Sequence, residues 1–139
     1  ALVLSKFSFL IINISYKNDG KNKYLIYGIE NRIEQIIANL LDNAISFSDD
    51  NKDVIVQVSK SEDNKVYIKI LDEGQGFKEK DTNKIFKRFY SNRPDKFGQH
   101  SGLGLNIVKN LVDLHNATIK ATNRQDKKGA SMEIEFPKV

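Results

Sequence analysis

Six apolar residues, Ile33, Ile36, Ile37, Leu40, Leu41 and Ala44, fall at i, i+3, i+4, i+7, i+8 and i+11. That spacing draws one apolar stripe along a helix and does not suit a strand, whose side chains alternate. Gln35, Asn39, Asn43 and Ser46 run beside the stripe as a polar line. At about 100° per residue, Asn39 and Asn43 stand at its edge, half buried, with both amides aimed at one place. Asparagine suits a helix interior poorly, so two of them one turn apart require a reason. Two reasons are open: hydrogen bonds to a neighbouring loop, or oxygen ligands for a hard cation such as Mg²⁺, which takes few protein ligands and fills its shell with water and phosphate oxygens.

The strands before and after this helix are read from alternation and turn residues. Phe7–Ser15 and Tyr24–Tyr27 are expected as two strands, separated by the turn cluster 18–22, and Ala1–Lys6 as the stub of an upstream helix. Val54–Val58 and Val66–Ile70 are expected to pair, so that the hairpin delivers Asp72 to a sheet end. There the run Asp72-Glu73-Gly74-Gln75-Gly76-Phe77 puts two glycines where a backbone or a flat ligand can come close. By itself that run also reads as a plain turn. Asp81-Thr82 offers an N-cap for a short helix over 83–89, with Ile85, Phe86 and Phe89 as its apolar points. From Tyr90 to Ser101 there is no periodicity, and a loop of that length is either functional or a solvated linker.

A second helix is expected from Gly102, capped by Ser101, with Leu103, Ile107, Val108, Leu111, Val112 and Leu114 as its core face. Glycines at its start bare the backbone N–H groups, and the helix dipole makes that end attractive to phosphate. His115 is expected as a helix-end residue, with Asn116 in the left-handed position after it. Thr118–Asn123 and Ser131–Phe136 close the chain as a hairpin, with Met132, Ile134 and Phe136 on a buried face and Ser131, Glu133 and Glu135 on a wet one.

Composition excludes several classes. The 139 residues suffice for one domain with a core, and no apolar run reaches the roughly 20 residues that span a bilayer. The absence of cysteine rules out disulfides, thiolate zinc sites and cysteine nucleophiles. The net charge of +4 is mild, and no Arg-rich or aromatic–basic repeat supports nucleic acid as a partner. The chain starts without methionine or a signal-peptide pattern and is read as a piece of a longer protein.

The ordered set of Asn-pair helix, hairpin, Asp-x-Gly-x-Gly, Phe-bearing short helix, loop, Gly-Leu-Gly-Leu helix and final hairpin resembles the ATP-binding catalytic domain of sensor histidine kinases, within the Bergerat-fold (GHKL) ATPases. The resemblance covers about residues 28–137. It implies an α/β (α+β) two-layer sandwich: a mixed, mostly antiparallel sheet covered on one face by about three helices, with a mobile ATP lid near 90–101. It implies ATP and Mg²⁺ as cofactors. Asn39 and Asn43 match the N-box and would face Mg²⁺ and the phosphates. Asp72 would accept the adenine amino group, with Gly74 and Gly76 flanking the base. Phe86, Phe89 and Tyr90 match the F-box. Ser101, Gly102 and Gly104 would cradle the phosphates. Phe47, Phe77, Tyr90, Leu103 and Leu105 complete the nucleotide-binding set, and Arg93 joins Asn39 and Asn43 as a catalytic candidate. Ser131 stands where the closing Gly-x-Thr box has threonine, keeping a hydroxyl beside Asp72. The segment from Arg88 to Gln99 is similar to the lid of envelope- and acid-sensing kinases of alphaproteobacteria.

Three positions depart from the family pattern. Ser46 stands where a lysine is usual, leaving Arg88, Arg93 or Lys96 to supply the missing phosphate-neutralising charge. Lys87 occupies the acidic position of the F-box, and His115-Asn116-Ala117 replaces His-Gly-Gly. The amide at Asn39 replaces the glutamate that activates water in hydrolytic relatives, which favours phosphoryl transfer to a protein acceptor. Neither His100 nor His115 lies in a His-Glu-x-x-x-Pro setting, so the acceptor is expected upstream. The expected partners are the protein's own dimerisation and phosphoacceptor domain, in a homodimer, and a response regulator. The expected location is the cytoplasmic side of an inner-membrane sensor kinase, with the membrane reached only through upstream segments. An anti-sigma-type serine kinase and a non-catalytic nucleotide-binding module remain as alternatives.

Overall fold

The computed structural model describes residues 13–17, 24–48, 51–78, 82–87 and 104–139. In chain order the elements are β1 (Asn13–Lys17), α1 (Glu30–Phe47), β2 (Asp53–Lys60), β3 (Val66–Leu71), a 3-10 helix (Thr82–Phe86), α2 (Gly104–Leu114), β4 (Thr118–Asn123) and β5 (Ala130–Phe136). One sheet contains all five strands in the order β1-β2-β3-β5-β4. β1 and β2 run parallel, as the long connection through α1 permits; every other pair is antiparallel.

The core follows from the two periodicities. Ile36, Leu40 and Ile45 of α1 meet Val108 and Val112 of α2, over Val54, Ile70, Ile134 and Phe136 from the sheet. Leu71 pairs with Ser131, Lys69 with Glu133 and Tyr67 with Glu135 on the opposite face. That face is polar and internally paired: Lys69 Nζ lies 3.4 Å from Glu133, and Tyr67 donates to Glu135 at 2.6 Å. Ser131 shares the register of the wet face yet is buried.

Several boundaries differ from the sequence reading. Of the strand expected over 7–15, residues 13–15 are strand and pairing continues to Lys17; residues 7–12 lie outside the described residues, as do the helix stub 1–6 and the turn 18–22. Tyr24–Tyr27 is not a strand. Its alternation is real, since Tyr24 and Ile26 pack on the core while Leu25 and Tyr27 are 63% and 73% exposed. Among the described residues the segment nevertheless pairs with no strand of the sheet. The short helix is of the 3-10 type and spans Thr82–Phe86; Thr82 Oγ1 donates to Ala121 O at 2.7 Å and ties the turn to β4 instead of capping it. Asp81 and Phe89 lie outside the described residues.

In α2 the buried stripe is narrower than expected. Val108 and Val112 are buried, whereas Leu114 is 60% exposed and Ile107 is also on the surface. At about 100° per residue, both stand roughly opposite Leu105 and Val112. His115 ends the helix as expected. Its Nε2 accepts from Ile29 N–H at 3.1 Å, so Nδ1 carries the proton and donates to Leu111 O at 2.7 Å. Asn116 takes the left-handed conformation, φ 55°.

Leu40 is fully enclosed at the meeting of the two helices and the sheet. Leu40→Ala is expected to lower the unfolding free energy by about 2–5 kcal/mol, measured by urea denaturation at unchanged slope.

Candidate functional site

The site is built where β3 runs out. Asp72 continues the ladder one residue past β3, its N–H donating to Ala130 O at 3.0 Å. By alternation its side chain shares the face of Ile70, which the helices cover, and it is only 4% exposed. Oδ1 accepts two backbone N–H bonds, from Gly74 at 2.9 Å and from Ala130 at 3.0 Å. Oδ2 makes no hydrogen bond among the described residues. Burial pushes the Asp72 carboxyl above its ordinary value, opposed by the Gly74 and Ala130 N–H groups and by the Arg124 guanidinium. The arrangement is a buried acceptor fixed in direction by the backbone, with one oxygen left to meet a donor.

Gly74 is required by a close approach. A Cβ there would stand 2.5 Å from Phe47 O, the carbonyl that ends α1. The loop 72–77 is thereby pressed onto the C-terminal end of the helix that carries the asparagine pair. Gly76 has φ +76°, and a Cβ on it would meet Asn123 Oδ1 at 2.6 Å. Phe77 is partly buried, and its backbone N–H and C=O both bond the Asn123 side chain.

On α1, Asn39 is partly buried, as expected, whereas Asn43 is 5% exposed and is buried outright instead of half buried. Ser46 is buried too, and its Oγ donates to Asn43 O at 3.0 Å. That position turns back onto its own helix and presents no charge to solvent. At the start of α2, Gly104 is exposed, and a Cβ added to it would meet nothing within 4 Å among the described residues. Packing therefore does not demand glycine there; an approaching ligand would. Leu105 packs on the core, and Asn106 Nδ2 donates to Phe86 O at 3.2 Å, joining α2 to the 3-10 helix. Ser131 is buried on β5, directly after Ala130. Arg93, Tyr90, Ser101, Gly102 and Leu103 lie outside the described residues.

The structure thus joins the end of α1, loop 72–77 and the start of β5 into one constellation, with α2 packed against α1. Among the described residues no three His, Cys, Asp or Glu side chains gather as metal ligands. A separate cavity of about 190 Å³, lined by Leu25, Lys60, Asn64, Val66 and Val139, lies at the other end of β3 and offers no comparable acceptor. The sequence reading missed Asn123, Arg124 and Asn106, whose partners are 46, 52 and 20 residues away. No local pattern marks them.

A model of the histidine kinase-, DNA gyrase B- and HSP90-like ATPase family matches residues 28–139. Sensor protein ChvG of Agrobacterium fabrum is 37% identical over 116 residues, covering 81% of this chain and 19% of that protein. Sensor protein ChvG of Rhizobium meliloti is 36% identical over 119 residues, covering 84% and 20%. The chain therefore spans about a fifth of the length of these curated relatives. The solved catalytic domain of histidine kinase ThkA, in a nucleotide-free form, superposes with a TM-score of 0.81 at 26% identity, over 99% of this chain and 86% of that one.

Asp72→Asn keeps an Oδ1 acceptor for Gly74 and Ala130 while removing a buried charge. With the folded carboxyl raised above 3.8, the native state holds the proton at a pH where the unfolded chain has lost it. The parent's stability therefore falls as pH rises through that window. The substitution is expected to stabilise the ligand-free protein at neutral pH, because it removes the buried charge that burial disfavours. That gain should shrink toward zero as pH falls to the ordinary carboxylate range. Thermal melts of both proteins across pH 4–8, as an order-of-magnitude range around that window, measure it.

Proposed function

Because the chain belongs to the histidine kinase-, DNA gyrase B- and HSP90-like ATPase family, we propose that it holds ATP·Mg²⁺ and passes the γ-phosphoryl group to a histidine on an upstream dimerisation domain. In this reading residues 1–139 form one catalytic domain of a larger two-component sensor kinase, homologous to the ChvG sensor proteins. The observation that carries it is Asp72: a buried carboxylate whose Oδ1 is occupied by Gly74 and Ala130 and whose Oδ2 is left to accept an amino N–H, the donor that adenine offers.

The residues fit the nucleotide along α1. Phe47 abuts the base loop, and Asn43 and Asn39 lie one and two turns back, about 6 and 12 Å along the axis. A purine against Gly74 would therefore lay its phosphates beside the two amides. Asn43 and Asn39 would give oxygens to Mg²⁺, and Gly104 would leave the first N–H groups of α2 open to a phosphate. Ser131 pairs with Leu71, on the face of the sheet opposite the Asp72 side chain, so the hydroxyl expected beside Asp72 is given no role here. Arg93, Tyr90, Ser101, Gly102 and Leu103 complete the site in this reading, with Phe47, Gly76, Phe77 and Leu105 on the base side. ATP·Mg²⁺ would supply the phosphoryl group and, through the cation, neutralise its charge.

Phosphoryl transfer is favoured over hydrolysis because Asn39 is an amide, a very poor base at neutral pH. His115 does not serve as the acceptor: it is buried, and both ring nitrogens are committed to backbone groups. The imidazole that attacks must come from elsewhere in the protein, in a homodimer through its dimerisation domain, and a response regulator would receive the phosphoryl group next. Among the described residues no helix is long and apolar enough to cross a membrane. In this reading the domain stands on the cytoplasmic side of an inner-membrane sensor.

Radiolabelled ATP with a supplied dimerisation domain tests the reading: acid-labile phosphate on histidine is expected, and acid-stable phosphate on serine, or none, overturns it. In calorimetry, Asp72→Asn should weaken ATP binding by about 1–3 kcal/mol. Asn43→Ala should abolish the Mg²⁺-dependent part of ATP affinity and leave adenosine binding within twofold. An equal loss with and without Mg²⁺ would remove the metal role.

A further inference from the structure

The hairpin between β4 and β5 reaches the base loop through contacts to its backbone. Asn123 Oδ1 accepts from Phe77 N–H at 2.6 Å, and Asn123 Nδ2 donates to Phe77 O at 3.0 Å. One side-chain amide thus satisfies both backbone groups of one residue, a ladder rung supplied by a side chain. Asn123 is exposed, so filling the core does not account for it. Gly76 is fitted to the same side chain, since a Cβ there would strike Asn123 Oδ1. The other end of the loop is held from the same hairpin. Arg124 Nη1 donates to Asp72 O at 3.1 Å, and Arg124 is itself locked by both carboxylate oxygens of Asp126, at 3.0 and 2.8 Å.

We propose that Asn123 is a positioning residue for the nucleobase: it clamps Gly76 and Phe77 to the β4–β5 hairpin, so that the loop opposite Asp72 is already ordered when a purine arrives. The inference rests on the reading of loop 72–77 as the base loop. A segment with two glycines has many conformations, and without the rung the cost of choosing one falls on the ligand. The phosphate side of the site, on α1 and α2, does not share this contact. Asn123 therefore sets affinity for the base and leaves affinity for the phosphates alone.

The test uses the 139-residue chain, Asn123→Ala and Asn123→Asp. The aspartate keeps the acceptor for Phe77 N–H but cannot donate to Phe77 O. Calorimetry would give affinities for ATP, adenosine and inorganic tripolyphosphate, and hydrogen exchange of the ligand-free proteins would follow residues 74–77. Asn123→Ala should bind ATP and adenosine roughly tenfold more weakly, with tripolyphosphate within twofold. Its Phe77 amide should exchange roughly tenfold faster while amides within β3 keep their protection. Asn123→Asp should fall between parent and alanine. Unchanged adenosine affinity in Asn123→Ala, unchanged exchange at Phe77, or an equal loss for tripolyphosphate each overturns the proposal. A parent chain that binds no adenosine overturns the nucleotide reading, and this proposal with it; a parent that binds while Asn123→Ala binds equally well overturns this proposal alone.

Discussion

One carboxylate oxygen, Oδ1 of Asp72, ties the loop after β3 to the start of β5. It accepts from Gly74 in its own loop and from Ala130 at the start of β5, while the Asp72 backbone bonds Ala130 in return and Arg124 from the hairpin. Burying a carboxylate costs several kcal/mol unless its charge is met, and charge-assisted bonds from fixed N–H groups are among the stronger ways to meet it. Burial still wins in part, since the carboxyl remains above its ordinary value. The charge is thus held under tension, with one oxygen unspent.

The same economy appears on α1. Its stripe of Ile36, Leu40 and Ile45 supplies much of the core, and the line beside it supplies the amides. Rigid packing on one side of the helix fixes where Asn39 and Asn43 lie on the next, because their backbone cannot shift without disturbing the core. The end of α1 also sets where loop 72–77 can lie, through the contact of Phe47 O with Gly74. His115 serves a quieter purpose: it links the end of α2 to the start of α1 and so fixes the two helices against each other.

Much of this was legible from residue order. The α1 stripe, the β2–β3 and β4–β5 hairpins, the helix ending at His115 and the turn at Asn116 all stand where the pattern put them. Tyr24–Tyr27 misled because alternation reports that one side of a segment is buried, not that its backbone pairs with a strand. Ile107 and Leu114 misled because apolar identity alone drew the stripe of α2 too wide. Ser46 was read as a missing charge; the structure adds that the side chain is buried and bonded to its own helix.

What the sequence determined by itself is everything carried by spacing within about a dozen residues: which segments are helix or strand, which face each buries, and which residue types reach a sheet end or helix start. Covalent geometry sets those periods, so they need no tertiary context. Tertiary structure alone decided which residues hold loop 72–77 and the helix ends. Asn123 finds Phe77 across 46 residues, Ala130 finds Asp72 across 58, and Ile29 finds His115 across 86. The first two bonds exist because β3 and the β4–β5 hairpin lie side by side in the sheet, the third because α1 packs on α2, and no local pattern in the chain encodes those neighbourhoods.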